Sequence, residues 1–210
     1  TVVLYENVDG GDEVDAPERI AGAWAPLEAL LDRACLNDIE GLENPTSEHL
    51  AAWIWRRTEL PALSGVTVTE SATTGCHYDG AEFRIWKQQD FESAVRLEAA
   101  PGSDPRRALH GHSYRVRLHL VAPLDTVMGW TVDYGDVKER FRPVYAELDH
   151  HTLNDLGVDG GAGALAAWIG EQVRPGLPEC VRVELHEQPG LGAVADWADR
   201  PAFDPCPLEE

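Results

Sequence analysis

The chain has 210 residues and a formal net charge of −20 at pH 7. That length can bury a core as one large domain or two small ones. The acidic excess argues against nucleic acid, whose phosphates call for Lys and Arg in excess, and no apolar run approaches the ~20 residues of a membrane-spanning helix. An acidic surface keeps a protein soluble and dispersed. The N-terminus, Thr1-Val2-Val3-Leu4-Tyr5, lacks a basic n-region and a cleavage pattern. Cys35, Cys76, Cys180 and Cys206 are scattered without a CxxC spacing, which does not suggest a disulfide scaffold. The expected location is a reducing cytoplasm.

In chain order, residues 2–8 read as a strand. Residues 17–34 read as a helix, with Ile20, Trp24, Leu27 and Leu31 at helical spacing. A second helix is expected over 47–58, with Thr46 or Ser47 as its cap and Glu48 suiting its first turn. A strand follows at 65–71, and residues 76–98 supply one or two more. Tyr114, Val116, Leu118 and Leu120 recur every second residue, so 112–121 is a strand. Helices at 136–148 and 162–173 and a strand at 180–187 complete the pattern. Pro189, Gly190 and Gly192 break it, and the tail 201–210 reads as irregular.

The chain also repeats itself. Residues 31–38 read Leu-Asp-Arg-Ala-Cys-Leu-Asn-Asp and residues 148–155 read Leu-Asp-His-His-Thr-Leu-Asn-Asp. Leu-Ala-Ala-Trp-Ile follows each, at 50–54 and at 165–169. A strand carrying a Glu comes next in both, Glu70 in the first and Glu187 in the second. This order predicts a tandem duplication, with copy one over 1–82 and copy two over 83–210. Copy one lacks the front half of the unit. The run Gly160-Gly161-Ala162-Gly163 replaces the Pro45-Thr46-Ser47-Glu48 helix start of copy one, and that start should be looser.

The motif with the most chemistry is Leu109-His110-Gly111-His112-Ser113-Tyr114. Side chains at i and i+2 of a strand share a face. His110 and His112 therefore project together, a natural pair of zinc ligands or two polar residues at a wet strand end. Asp149-His150 could equally be a surface turn, and Glu70 and Glu187 ordinary charged strand ends.

Taken together, LHGHSY at 109–114, GWTVDYGDVK at 129–138, LDHHTLND at 148–155 and Val183-Glu184-Leu185-His186-Glu187 resemble the 6-pyruvoyltetrahydropterin synthase family. The nearest likeness is to its bacterial 6-carboxytetrahydropterin synthase branch, of the 7-deazaguanine (queuosine) pathway. The resemblance implies an α+β chain of two fused tunnelling-fold (T-fold) repeats, with antiparallel sheets and helices on one face. It also implies a homo-oligomer. His110 and His112 match two zinc ligands, Asp149 and His150 a proton-relay pair, and Glu187 the carboxylate that anchors the pterin. Glu70 matches that anchor in copy one. Two positions depart from the family. The run Phe91-Glu92-Ser93-Ala94-Val95-Arg96-Leu97 places Val95 where the third zinc ligand belongs, and Arg106 falls at the family's Cys. A replacement ligand would have to come from elsewhere. His77 lies at the junction of the copies, His151 and His186 remain open, and His119 has the wrong parity.

Two functions follow from the resemblance. One is a zinc-dependent lyase or isomerase acting on a pterin- or purine-like heterocycle with altered chemistry. The other is a homologue that keeps the pocket for binding or scaffolding after losing catalysis.

Overall fold

The computed structural model describes residues 1–7, 15–158 and 161–197. The strand and helix elements run β1 (Val2–Glu6), α1 (Ala16–Leu31), α2 (Ser47–Arg57), β2 (Leu63–Ser71), β3 (Thr74–Tyr78), β4 (Phe83–Val95), β5 (His110–Val121), α3 (Tyr134–Leu148), α4 (Ala162–Val173), β6 (Cys180–Gln188) and β7 (Leu191–Asp196). Short 3-10 turns stand between α1 and α2 (Leu36–Asp38), before β5 (Pro105–Arg107) and between α3 and α4 (Leu153–Leu156). The sheet takes the strands in chain order. The fold class is α+β, as the sequence predicts. The order strand, helix, 3-10 turn, helix, hairpin occurs twice.

The chain divides into two units. The first holds Thr1–Ile85 together with Ala122–Thr131, and the second holds Trp86–Val121 and Val132–Glu210. In the first unit β1 pairs antiparallel with β2, and β2 with β3. The helical spacing of α1 turns Leu27 inward and leaves Ile20, Trp24 and Leu31 partly buried on a core of Leu4, Leu42, Ala51, Trp53, Ile54, Val66 and Val68. Thr46 caps α2, accepting the His49 N–H at 3.2 Å. The second unit buries Tyr114, Val116, Leu118 and Leu120 of β5 together with Val137, Phe141 and Leu148 of α3 and Leu165 and Ile169 of α4. Gly161 stands at the N-cap of α4 with no side-chain bond, the weaker start expected of that Gly-rich run.

The largest difference from the sequence reading is β7. Pro189 and Gly190 are the turn of a hairpin: Gly190 takes φ +74, and Leu191–Asp196 returns antiparallel along β6. Gly at a left-handed turn position is a hairpin signal as much as a breaker. Helix α1 also stops at Leu31, because Asp32 is already extended and Arg33 is left-handed. The tail 201–210 and Cys206 lie outside the described residues. Cys76 and Cys180 are buried free thiols and Cys35 is an exposed one.

His77 is a core residue of the first unit. Its Nδ1 lies 2.9 Å from the Thr67 hydroxyl, and its ring meets Tyr5 edge-on at 5.6 Å. Gly65 leaves it room, since a Cβ there would stand 2.4 Å from the His77 Cε1. Burial pushes the imidazole down to about 4, with Asp79 opposing and Arg84 adding. A lowered folded value means the neutral ring is the stable one. Its contribution is complete above the unfolded value near 6.5 and is lost as pH falls toward 4. Between pH 7 and pH 4.5 this site should cost about 2–3 kcal/mol of stability. His77→Phe should shrink the pH dependence of the urea midpoint over that window by a corresponding amount, and an unchanged dependence would rule the assignment out.

Candidate functional site

The site elements all lie in the second unit. Strand alternation puts His110 and His112 on the face of β5 that also carries buried Tyr114 and Val116. Their rings are 4.9 Å apart, edge to face. The His110 Nδ1 sits 2.8 Å from the Ala108 carbonyl. A carbonyl only accepts, so Nδ1 carries the hydrogen and Nε2 holds the lone pair of the neutral ring. That Nε2 is buried and has no hydrogen-bond partner among the described residues. The register Arg115↔His186 between β5 and β6 brings Glu187 beside this face, and its Oε2 lies 4.0 Å from the His112 Nδ1. Tyr114 stacks on Phe91 at 5.1 Å and leaves its hydroxyl buried and unpartnered among the described residues. Burial, with Glu187 adding, pushes that phenol well above its ordinary value.

Asp149 and His150 follow α3. The His150 Nδ1 donates to the Asp149 carboxylate at 2.9 Å. The other carboxylate oxygen accepts the Glu92 N–H at 3.0 Å, and the His150 N–H donates to the Glu92 carbonyl at 2.6 Å. Strand β4 thus laces this turn in place. The Glu92 N–H holds the Asp149 carboxyl below its ordinary value against burial, with His150 adding. Asn154 extends the lacing, accepting the Arg96 N–H at 2.8 Å and donating to the Arg96 carbonyl at 3.0 Å. Glu92, Ser93, Ala94, His112, Ser113, His150, His151 and Thr152 line one open cleft of about 390 Å³. That is the size of a small-ligand pocket.

The remaining candidates fall elsewhere. Glu70 is exposed near the end of β2, in the first unit, and does not line this cleft. His119 and His186 lie on the opposite face of the sheet, 3.2 and 3.9 Å from Glu184. His151 turns its Nδ1 to the Asp149 carbonyl at 2.8 Å. Arg106 is clamped on Asp104, Nη2 to Oδ2 at 2.6 Å and Nε to Oδ1 at 3.0 Å, and pulls that carboxyl down to about 2. Val95 is fully buried in the core. No group of three or more His, Cys, Asp or Glu side chains placed to hold a metal occurs among the described residues. The orphaned His110 Nε2 suits a metal, but the donor set stops at two imidazoles. The described residues do not make a three-ligand zinc site.

Sequence reasoning missed Glu92, Asn154 and Tyr114. Glu92 and Asn154 act through backbone bonds between elements distant in the chain, which no local pattern reveals. Tyr114 was legible only as a core residue.

The model of the 6-pyruvoyl tetrahydropterin synthase family matches residues 17–81 and 84–197. The chain belongs to this family. It is 47% identical over 111 residues to 6-carboxy-5,6,7,8-tetrahydropterin synthase of Synechocystis sp., spanning 49% of this chain and 84% of that protein. It is 32% identical over 117 residues to the dihydroneopterin monophosphate aldolase of Pyrococcus furiosus, spanning 54% of this chain and 97% of that protein. Among solved structures, the Caenorhabditis elegans 6-pyruvoyl tetrahydropterin synthase aligns with a TM-score of 0.49 at 18% identity, over 55% of this chain and 95% of that one.

Arg33 and His150 take φ 56° and 61° at corresponding places, each one residue past an extended helix cap. A side chain in the left-handed region costs about 1–2 kcal/mol, part of which glycine recovers. Arg33→Gly should raise the unfolding free energy by about 0.5–1 kcal/mol, since its ion pair with Asp32 is long and exposed. His150→Gly should gain less, because it also loses the Asp149 bond. Equal gains in paired denaturation curves would show that this bond contributes nothing to stability.

Proposed function

We propose that the chain is two fused T-fold repeats and that copy two carries a working pterin-type site. Glu187 anchors the amino and ring N–H groups of a planar pterin- or purine-like heterocycle. Asp149 orients His150, whose Nε2 exchanges a proton with the substrate side chain, the general acid–base step of a lyase or isomerase. The observation that carries this reading is the convergence on one unit of an intact Asp149–His150 pair, at 2.9 Å, with Glu187 beside His112, at 4.0 Å. Two nearly complete relatives each span about half of this chain, which supports the fused repeat. Strands β1 and β7 end the strand order, which supports a homo-oligomer that covers their outer edges.

The second reading, binding without catalysis, rests on Val95 and Arg106 standing where a zinc ligand and the Cys belong. Turnover separates the two. Incubation with dihydropterin substrates should give product with the parent chain and none with His150→Gln, whereas no product from the parent together with tight pterin binding favours the second reading.

The anchor has its own test. An amide at 187 turns N–H donors toward the donors of the ligand and removes the charge. Glu187→Gln should weaken pterin or guanine ligands by roughly 1.5–3 kcal/mol in calorimetric titration. Equal affinity would remove Glu187 from the site.

Zinc belongs to the proposal only as a weakly held guest of His110 and His112, and no step is routed through it. Equilibrium dialysis against micromolar zinc should load the parent chain, release the metal to a mild chelator, and load neither His110→Ala nor His112→Ala. Equal loading of all three would place any zinc elsewhere.

A further inference from the structure

A buried polar cluster outside the site lies at the start of α2, within the first unit. Glu48 is 2% exposed, although it is a carboxylate. Its Oε1 accepts the Thr131 N–H at 2.8 Å and the Thr131 hydroxyl at 3.1 Å, and its Oε2 accepts the Ser47 hydroxyl at 3.0 Å. Thr46 donates its hydroxyl to the Gly129 carbonyl at 2.5 Å, and the Asn44 amide donates to the Met128 carbonyl at 2.9 Å. Asn44, Thr46 and Glu48 thus read the main chain of Met128, Gly129 and Thr131. The fit is steric as well. Gly129 has φ +81, and a Cβ there would stand 2.5 Å from the Asn44 Nδ2 and 2.7 Å from the His49 Cε1. The segment is also shaped from within: Asp125 accepts the N–H groups of Val127 and Met128 at 2.8 and 3.0 Å. Buried carboxylates persist only when such donors surround them.

The two halves of the chain are complementary here. Copy one has the Asn-Pro-Thr-Ser-Glu run but no Gly-Trp-Thr segment, and copy two has Gly129-Trp130-Thr131 but begins α4 on glycine. The held segment is also the covalent link between β5, which carries His110 and His112, and α3, which ends at Asp149 and His150. With residues 128–131 pinned, only 122–127 and 132–133 remain as slack.

We infer that Asn44, Thr46 and Glu48 form a receptor built into copy one for the link of copy two, and that Glu48 is through this link a positioning residue for the candidate site. Copy one then has a task although it lacks the His pair and the relay histidine. The inference does not depend on which heterocycle binds.

The test uses the whole chain with histidine-labelled imidazoles. Gly129→Ala leaves the α2 cap and Glu48 intact but obstructs the seat. It should raise amide exchange over 128–131 at least tenfold while β2 and β6 stay protected. The imidazole signals of His112 and His150 should move with it. Thr46→Val should act in the same direction with a smaller effect, and it carries the test if Gly129→Ala does not fold. Unchanged exchange over 128–131 in a folded variant would overturn the receptor. A loosened link with unmoved His112 and His150 signals would overturn the positioning role and leave Glu48 a local structural residue.

Discussion

The second unit depends on the alternation of β5. Tyr114, Val116, Leu118 and Leu120 are all essentially inaccessible, and Val116 and Leu118 lie against Val137 and Phe141 of α3. Burying each such side chain contributes about 1.5–3 kcal/mol. A one-residue slip would exchange them for Ser113, Arg115, Arg117 and His119, so the register is held by the core and not by the site. The same alternation fixes His110 and His112 on the core side of the sheet, at the end where the apolar run stops. Pairing with β6 then brings Glu187 to them. The candidate site is thus a continuation of the core beyond its last large apolar residues.

The other face of β5 shows what parity alone leaves out. His119 falls on the opposite side from the His110–His112 pair, as its position requires, yet it is wholly buried. There it meets Glu184, which also lies 3.4 Å from Arg182 and 4.0 Å from Arg117. Burial pushes the Glu184 carboxyl up, and His119, Arg117 and Arg182 together outweigh it, leaving it below its ordinary value. Burial pushes His119 down against the pull of Glu184. Charged residues recurring every second position read as a solvated face. Here they form a closed network across β5 and β6, and only the strand register Arg117↔Glu184 makes that visible.

The legible parts of the fold were those with a short period. The helices over 136–148 and 162–173 and the strands around 112–121 and 180–187 follow from apolar spacing alone. The order of elements that occurs twice carries the same words, Leu-Asp before a 3-10 turn and Leu-Ala-Ala-Trp-Ile in the helix after it. What escaped was set by backbone geometry or by distance along the chain. Pro189-Gly190 serves both to end a strand and to turn a hairpin, and the sparsely apolar Leu191–Asp196 did not decide between them. Around the candidate site, the bonds that support its residues were not legible. Glu92 and Asn154 contribute through main-chain bonds to segments more than fifty residues away. Glu48 read as an ordinary first-turn acid, because its partners at Thr131 belong to another part of the chain.

The turn after α3 separates what the fold imposes from what the site adds. A histidine in the left-handed region beside a cleft invites a functional reading of its strain. The first unit argues otherwise. Asp32 and Asp149 cap their helices in the same extended conformation, and Arg33 and His150 follow with nearly the same positive φ. Arg33 carries the strain with no site around it, so the strain belongs to the helix-to-3-10 junction. What differs is the lacing. Asp32 is largely exposed and its contact with Arg33 is long, at 3.8 Å. Asp149 is held by the Glu92 N–H and in turn holds the His150 ring. A general acid or base must present one nitrogen in one orientation, and a free turn cannot do so. The fixed orientation of the His150 ring therefore rests on the bonds that Glu92 of β4 makes to this turn, while the shape of the turn itself came with the fold.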